Sequence, residues 1–142
     1  MSKTCAYRII ERRTAIVVVG AAPPSDADWT HLADMMAKNL HDRAVVLSLG
    51  GGPSAKQRKQ LMDASGGRAA NIPCAILTES VMVRGITTAI SWFVPEVRSF
   101  RPDELEAALG YLKITTPPAD VRKVIEELRL ELGPNARVAR AS

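Results

Sequence analysis

The stretch that most constrains this chain runs from Ala44 to Leu61, AVVLSLGGGPSAKQRKQL. A short apolar run closed by glycines predicts a strand over 44–49 that is buried on both faces, as in parallel sheets. Gly50, Gly51 and Gly52 follow. Glycine takes positive φ without a Cβ clash, so the chain can reverse sharply off the strand end. Pro53 and Ser54 then open a helix, with Ser54 as its cap and Gln57, three residues on, completing a capping box. Strand, glycine turn and capped helix in that order place the chain among α/β folds.

The same geometry has a chemical consequence. The first turn of a helix carries N–H groups without partners inside the helix, and the positive end of its dipole. Open α/β sheets hold their ligands beyond the carboxyl ends of their strands. The turn at 50–54 is therefore where an anion, a partner or a phosphorylation is expected. Two readings of Ser54 stay open: any strand-to-helix turn favours a capping serine, and the same hydroxyl sits at a start that favours anions. Nucleotide fingerprints do not fit. A Walker A loop needs Gly-Lys-Ser/Thr, but here Ser54 precedes Lys56 and no glycine adjoins the lysine; G-x-G-x-x-G needs a glycine three places beyond Gly52, where Ala55 stands.

Around this unit the chain reads as strands alternating with helices. Residues 7–11 and 14–20 predict a hairpin turned at Arg12-Arg13, with the β-branched AIVVV run in a central strand. Ser25 and Asp28 signal a helix reaching about Leu40, with Trp29, Leu32, Met35, Met36 and Leu40 towards the core. A strand is expected over 72–77. Thr78, Glu79 and Ser80 open a third helix, which carries Met82, Ile86, Ala89, Ile90 and Phe93 inward, with Trp92-Phe93 anchoring its end to the core or, if exposed, marking an interface. Gly85 within it costs about 1 kcal/mol against alanine and can serve close packing on the sheet. A short strand over 96–100 and a helix begun by Pro102-Asp103-Glu104 complete the repeat. Beyond a stiff linker at Thr115-Thr116-Pro117-Pro118, a fifth helix over 119–132 bears the stripe Val121, Val124, Ile125, Leu128 and Leu132. It either packs back on the domain, which short connections favour, or supports self-association with another chain. The expected division is a domain over 1–114, a linker and appended helix over 115–133, and a disordered tail over 134–142.

Length suits one core: 142 residues. The net charge of +4 is modest and scattered, and aromatic residues are only 4% of the chain, so no stacking platform for single-stranded nucleic acid is expected. Lys56, Arg58 and Lys59 form the densest basic cluster, on the second helix, as a solvated face or as complement to an acidic partner. Cys5 and Cys74 match no metal or redox spacing. Neither a signal peptide nor a membrane span is expected, which points to the cytoplasm. His31 and His41, at the two ends of one helix, read as surface or helix-end residues rather than metal ligands. No G-x-S-x-G elbow is present for a serine hydrolase. Arg84 can face the turn at 50–54, pair with Glu79, or lie in solvent. No cofactor, metal or catalytic set is expected.

The order β-β-α-β-α-β-α-β-α, with GGGPSAKQRKQL, TESVMVRGITTAISWF and VRSFRPDELEAALGYL, resembles the STAS-like domains related to the anti-sigma-factor antagonist SpoIIAA, and looks like a bacterial branch of that group. The resemblance spans about 7–112 and implies a mixed sheet of about five strands with helices, plus the extra last helix. It also implies a non-enzymatic regulatory or protein-interaction module. In the antagonists, a serine beginning the helix after the third strand is phosphorylated by a partner kinase, and the added charge releases the partner. Ser54 matches that serine in position, although Pro53 stands where the family has an acidic residue and the loop is shorter and richer in glycine. The alternative expectation is a small-ligand domain holding a phosphate-bearing or lipid-like molecule at the turn.

Overall fold

The computed structural model describes residues 3–91 and 96–136. Five strands, β1 (Cys5–Ile10), β2 (Thr14–Val19), β3 (Arg43–Ser48), β4 (Cys74–Thr78) and β5 (Val97–Phe100), lie side by side in sequence order. β1 pairs antiparallel with β2, and every later pair is parallel. This is the mixed sheet with one antiparallel edge that the pattern predicts. Arg12 and Arg13 turn the hairpin with φ of 56° and 57°, a left-handed pair whose twist suits the flanking strands. The helices are α1 (Asp26–Ala37), α2 (Ala55–Ala64), α3 (Val81–Ser91), α4 (Leu105–Tyr111) and α5 (Pro118–Leu132).

Alternate residues of the central strands serve two cores. Ala15, Val17 and Val19 of β2 meet Trp29, Leu32, Met35 and Met36 of α1 on one face. Ile16 and Val18 meet α4 and α5 on the other. That is why β2 is buried at every position and reads as a continuous β-branched run. α5 packs back across β1 and β2, with Val121, Leu128 and Leu132 at 0% exposure and Ile125 at 7%. Its apolar stripe is thus part of the domain's own core, and Leu130 faces outward. Beyond it, Asn135 bridges the β2–α1 connection and the residue two places before β1: its carbonyl accepts from Ala21 N (3.0 Å) and its Nδ2 donates to Lys3 O (2.9 Å).

Several expectations need correction. α1 stops at Ala37, because Asn39 takes a left-handed φ of 55° and Leu40 N reaches back to Met35 O, a Schellman-type ending. Leu40 is therefore outside the helix and exposed, while His41, expected at the surface, is 2% exposed ahead of β3. On α3 the inward residues are Val83 and Thr87, and Met82 and Ile86 face outward. Val81, Met82, Val83 and Ile86 share one broad apolar arc of that helix, but the fold buries only its edge at Val83 together with Thr87; Thr87 can turn inward because its hydroxyl donates to Val83 O (2.8 Å). A Cβ on Gly85 would meet nothing within 4 Å, so this glycine serves no close packing. The expectations for Trp92 and Phe93, for the side chains of Ala89 and Ile90, and for residues 137–142 lie outside the described residues.

Candidate functional site at the strand carboxyl ends

The β3–α2 turn is fastened to the β2–α1 connection. Leu49 N donates to Val19 O and Gly51 N to Gly20 O, both at 2.9 Å. Ser48, 5% exposed at the end of β3, donates its hydroxyl to Gly51 O at 2.7 Å and accepts from Gly50 N at 3.4 Å. The three glycines have different duties. Gly50 uses a φ of 129°. Gly51 lies so near its neighbour that a Cβ would come within 2.0 Å of Ala22 O, whereas a Cβ on Gly52 would meet nothing within 4 Å.

Ser54 caps α2 as its position predicts. Its Oγ accepts from Gln57 N (3.1 Å), and Gln57 Oε1 accepts from Ser54 N (3.0 Å). Ser54 is exposed, but Gln57 is only 5% exposed and does more than complete the box. Its Nε2 donates to Pro24 O (2.9 Å) and Asp26 Oδ1 (3.0 Å), and its carbonyl accepts from Trp29 Nε1 (2.7 Å). Gln57 thus ties α2 to α1 and the segment ahead of it, and Gln60 Nε2 adds a second link by donating to Thr30 Oγ1 (3.1 Å). Among the basic residues, Lys56 is exposed, Arg58 folds back to donate to Pro53 O (2.9 Å), and Lys59 pairs with Asp63 (2.7 Å).

Beside the turn lies a cleft of about 530 Å³, whose walls include Ser48, Leu49 and Gly50, then Glu79 and Ser80 beyond β4, and Arg129 of α5. Of the candidate site residues named from the sequence, Gly50 alone lines it. Arg84 sits half-buried on α3, its N–H donating to Ser80 O, and is not part of the cleft wall. Ser80 begins α3 much as Ser54 begins α2: its N–H donates to Thr78 Oγ1 (3.1 Å) and its Oγ accepts from Val83 N (3.2 Å). Immediately beyond, Val81 and Met82 are each 75% exposed and Ile86 is 42% exposed. Sequence reasoning missed Ser48, the wider role of Gln57, Arg129 and this apolar patch. Ser48 and Arg129 could have been flagged by their places beside the turn and on α5, but only the folded chain brings them to one cleft.

Burial pushes the Cys5 thiol up to about 11 and the Cys74 thiol up to about 12, so neither is a thiolate nucleophile near neutrality. Hydrogen bonds from the Thr4 hydroxyl and backbone N–H hold the Asp28 carboxyl below its ordinary range. Among the described residues, no cluster of three or more His, Cys, Asp or Glu is arranged to hold a metal, and no helix is long and apolar enough to cross a membrane.

No protein-family model and no curated protein sequence matches the chain. Among solved structures, the crystal structure of an uncharacterised protein from the DUF3478 family with a SpoIIAA-like fold, from Shewanella loihica PV-4, superimposes with a TM-score of 0.58 at 15% identity, covering 78% of this chain and 94% of that one. The chain has a SpoIIAA-like fold. The STAS-like resemblance carried by the strand order and the glycine turn is thereby shown at the level of architecture. Within this SpoIIAA-like fold, Ser54 occupies the start of the helix after the third strand.

Proposed function

We propose that this chain is a non-enzymatic, cytoplasmic protein-interaction module of the STAS-like type, with its partner seated across the rim that holds Ser54 and the start of α3, and with Ser54 as a phosphorylation switch. The observation that carries this reading is the patch of Val81, Met82 and Ile86, left outward on α3 next to a polar rim. Apolar side chains grouped beside polar ones favour a protein partner. Ser54 is exposed, as a kinase substrate must be, and a phosphoryl group there adds about −1.5 to −2 charges at a helix start that stabilises anions. Lys56 and Arg58 stand within the same first turn.

The test separates charge from capping. Aspartate and asparagine both cap helices as well as serine does, so Ser54→Asp and Ser54→Asn differ in charge while both retain α2. Affinity capture from a bacterial lysate should recover different partners with the two variants, and a Val81→Ser/Met82→Ser variant should lose the partner retained by Ser54→Asn. Identical sets for both Ser54 variants would remove the switch, and an unchanged set for the α3 variant would remove the interface.

A further inference from the structure

We propose that the cleft beside the glycine turn is a small-molecule site for a zwitterion of the α-amino-acid class bearing an apolar side chain. This goes beyond the interaction reading and does not rest on Ser54. The open cleft, with about 530 Å³ of accessible space, is large enough for a small ligand and occupies the place where open α/β sheets bind ligands. Its apolar portion comes from Leu47 and Leu49, with Ala21 and Pro102, and would receive an aliphatic group.

The polar portion decides the chemistry. Arg129 of α5 and Glu79 of the β4–α3 link, two residues of opposite charge, line one cleft. Arg129 makes a 3.7 Å contact with Glu126 on its own helix, and both side chains have solvent access; such a contact is weak enough to yield to a ligand. A guanidinium reads a carboxylate in a paired, directional way. Ser80 Oγ accepts from Val83 N, which leaves its hydroxyl proton available to the same carboxylate. Ser48 is already committed, since its proton goes to Gly51 O. An anion without a positive group would bring like charge against Glu79, and a cation without a negative group would bring like charge against Arg129. A molecule carrying both avoids either penalty, and that is how a site discriminates. The Glu79 carboxylate likewise disfavours a phosphate-rich ligand.

Isothermal titration calorimetry of the full chain with three compounds tests this. L-Leucine carries both charges, 4-methylpentanoate lacks the ammonium, and 3-methylbutylamine lacks the carboxylate. Leucine should bind, and each analogue should bind about tenfold more weakly or worse, the scale of one lost charge-assisted contact. Glu79→Gln should erase leucine's advantage over the acid, and Arg129→Gln its advantage over the amine. Both variants should keep the wild-type circular dichroism spectrum, because both side chains reach solvent. Ser54→Asn should bind leucine as wild type does, so the site and the switch stand or fall separately. The proposal is overturned by a flat titration with leucine up to roughly 10 mM, since a site with a Kd well above that concentration stays mostly empty. It is equally overturned by equal binding of the three compounds, or by leucine binding that neither cleft variant weakens.

Discussion

Gln57 offers the sharpest test of how the rim is held. Truncation in Gln57→Ala removes the donor to Pro24 O at 2.9 Å, the donor to Asp26 Oδ1 at 3.0 Å and the acceptor for Ser54 N at 3.0 Å. Asp26 and Ser54 are exposed, so water replaces much of what they lose; Pro24 is buried. An orphaned buried carbonyl costs about 1–3 kcal/mol, and removing the packed side-chain stem from a site 5% exposed adds about 1 kcal/mol. The expected loss is about 2–4 kcal/mol in urea unfolding followed by circular dichroism, with an unchanged m-value. Gln57→Glu keeps the acceptor for Ser54 N but sets a carboxylate against the Pro24 carbonyl and Asp26. Burial and the nearby acid raise that carboxyl's pKa in the folded state above its unfolded value near 4.3. The folded state then binds the proton more readily. Stability of Gln57→Glu should therefore rise as pH falls through the raised value, and the deficit should close below the unfolded one, where the protonated acid donates again. Gln57→Ala should show no such recovery. A Gln57→Ala loss under about 0.5 kcal/mol, or a Gln57→Glu deficit independent of pH, would refute the lacing of α1 to α2 through this residue.

Other outcomes follow from the same geometry. Gly51→Ala should destabilise the chain by about 2 kcal/mol or more, read as a lowered urea midpoint, because its Cβ would strike backbone at Ala22 O; Gly52→Ala, with open space around it, should be tolerated. Burial, followed by the nearby Arg68 charge, holds His41 below its ordinary value, with Arg13 adding to the effect and Asp42 opposing it. The unfolded chain therefore takes up the proton first, so stability is full above about pH 6.5, falls as pH drops through that value, and stops falling below the folded-state value. In His41→Gln, that segment of the stability–pH curve should flatten. Leu128→Ala should cost about 2–5 kcal/mol in urea unfolding, since Leu128 is fully buried between α5 and the sheet; a small loss would mean that α5 is only loosely attached.

The architecture was legible where local rules and burial agree. The LSLGGGPS segment combines a strand end, a turn and a cap, and its hydrogen bonds follow that reading residue by residue. β2 and the α5 stripe were legible as elements: a continuous β-branched run marks a strand covered on both faces, and the helical spacing of the stripe marks one buried face, though not what covers it. α3 was not: Val81, Met82, Val83 and Ile86 mark one apolar arc, yet contact with β4 and β5 takes its edge, Val83 with Thr87, as the inner face. His41 misled because helix length is set by Asn39 adopting a left-handed turn, which no apolar period reveals. The cleft was the least visible feature. Glu79 and Arg129 are separated by 50 positions in the sequence, and each alone resembles an ordinary surface charge. Their common lining depends on α5 lying back across β1 and β2, a tertiary choice that short linkers favour but do not specify.

That choice gives the last helix two duties at once. α5 shields the Ile16–Val18 side of the sheet, and through Arg129 it also delivers the cleft's guanidinium. A version of the chain cut back to the strand–helix repeat alone would lose its roof and its anion receptor together, leaving the turn at 50–54 beside a half-built pocket on an uncovered sheet.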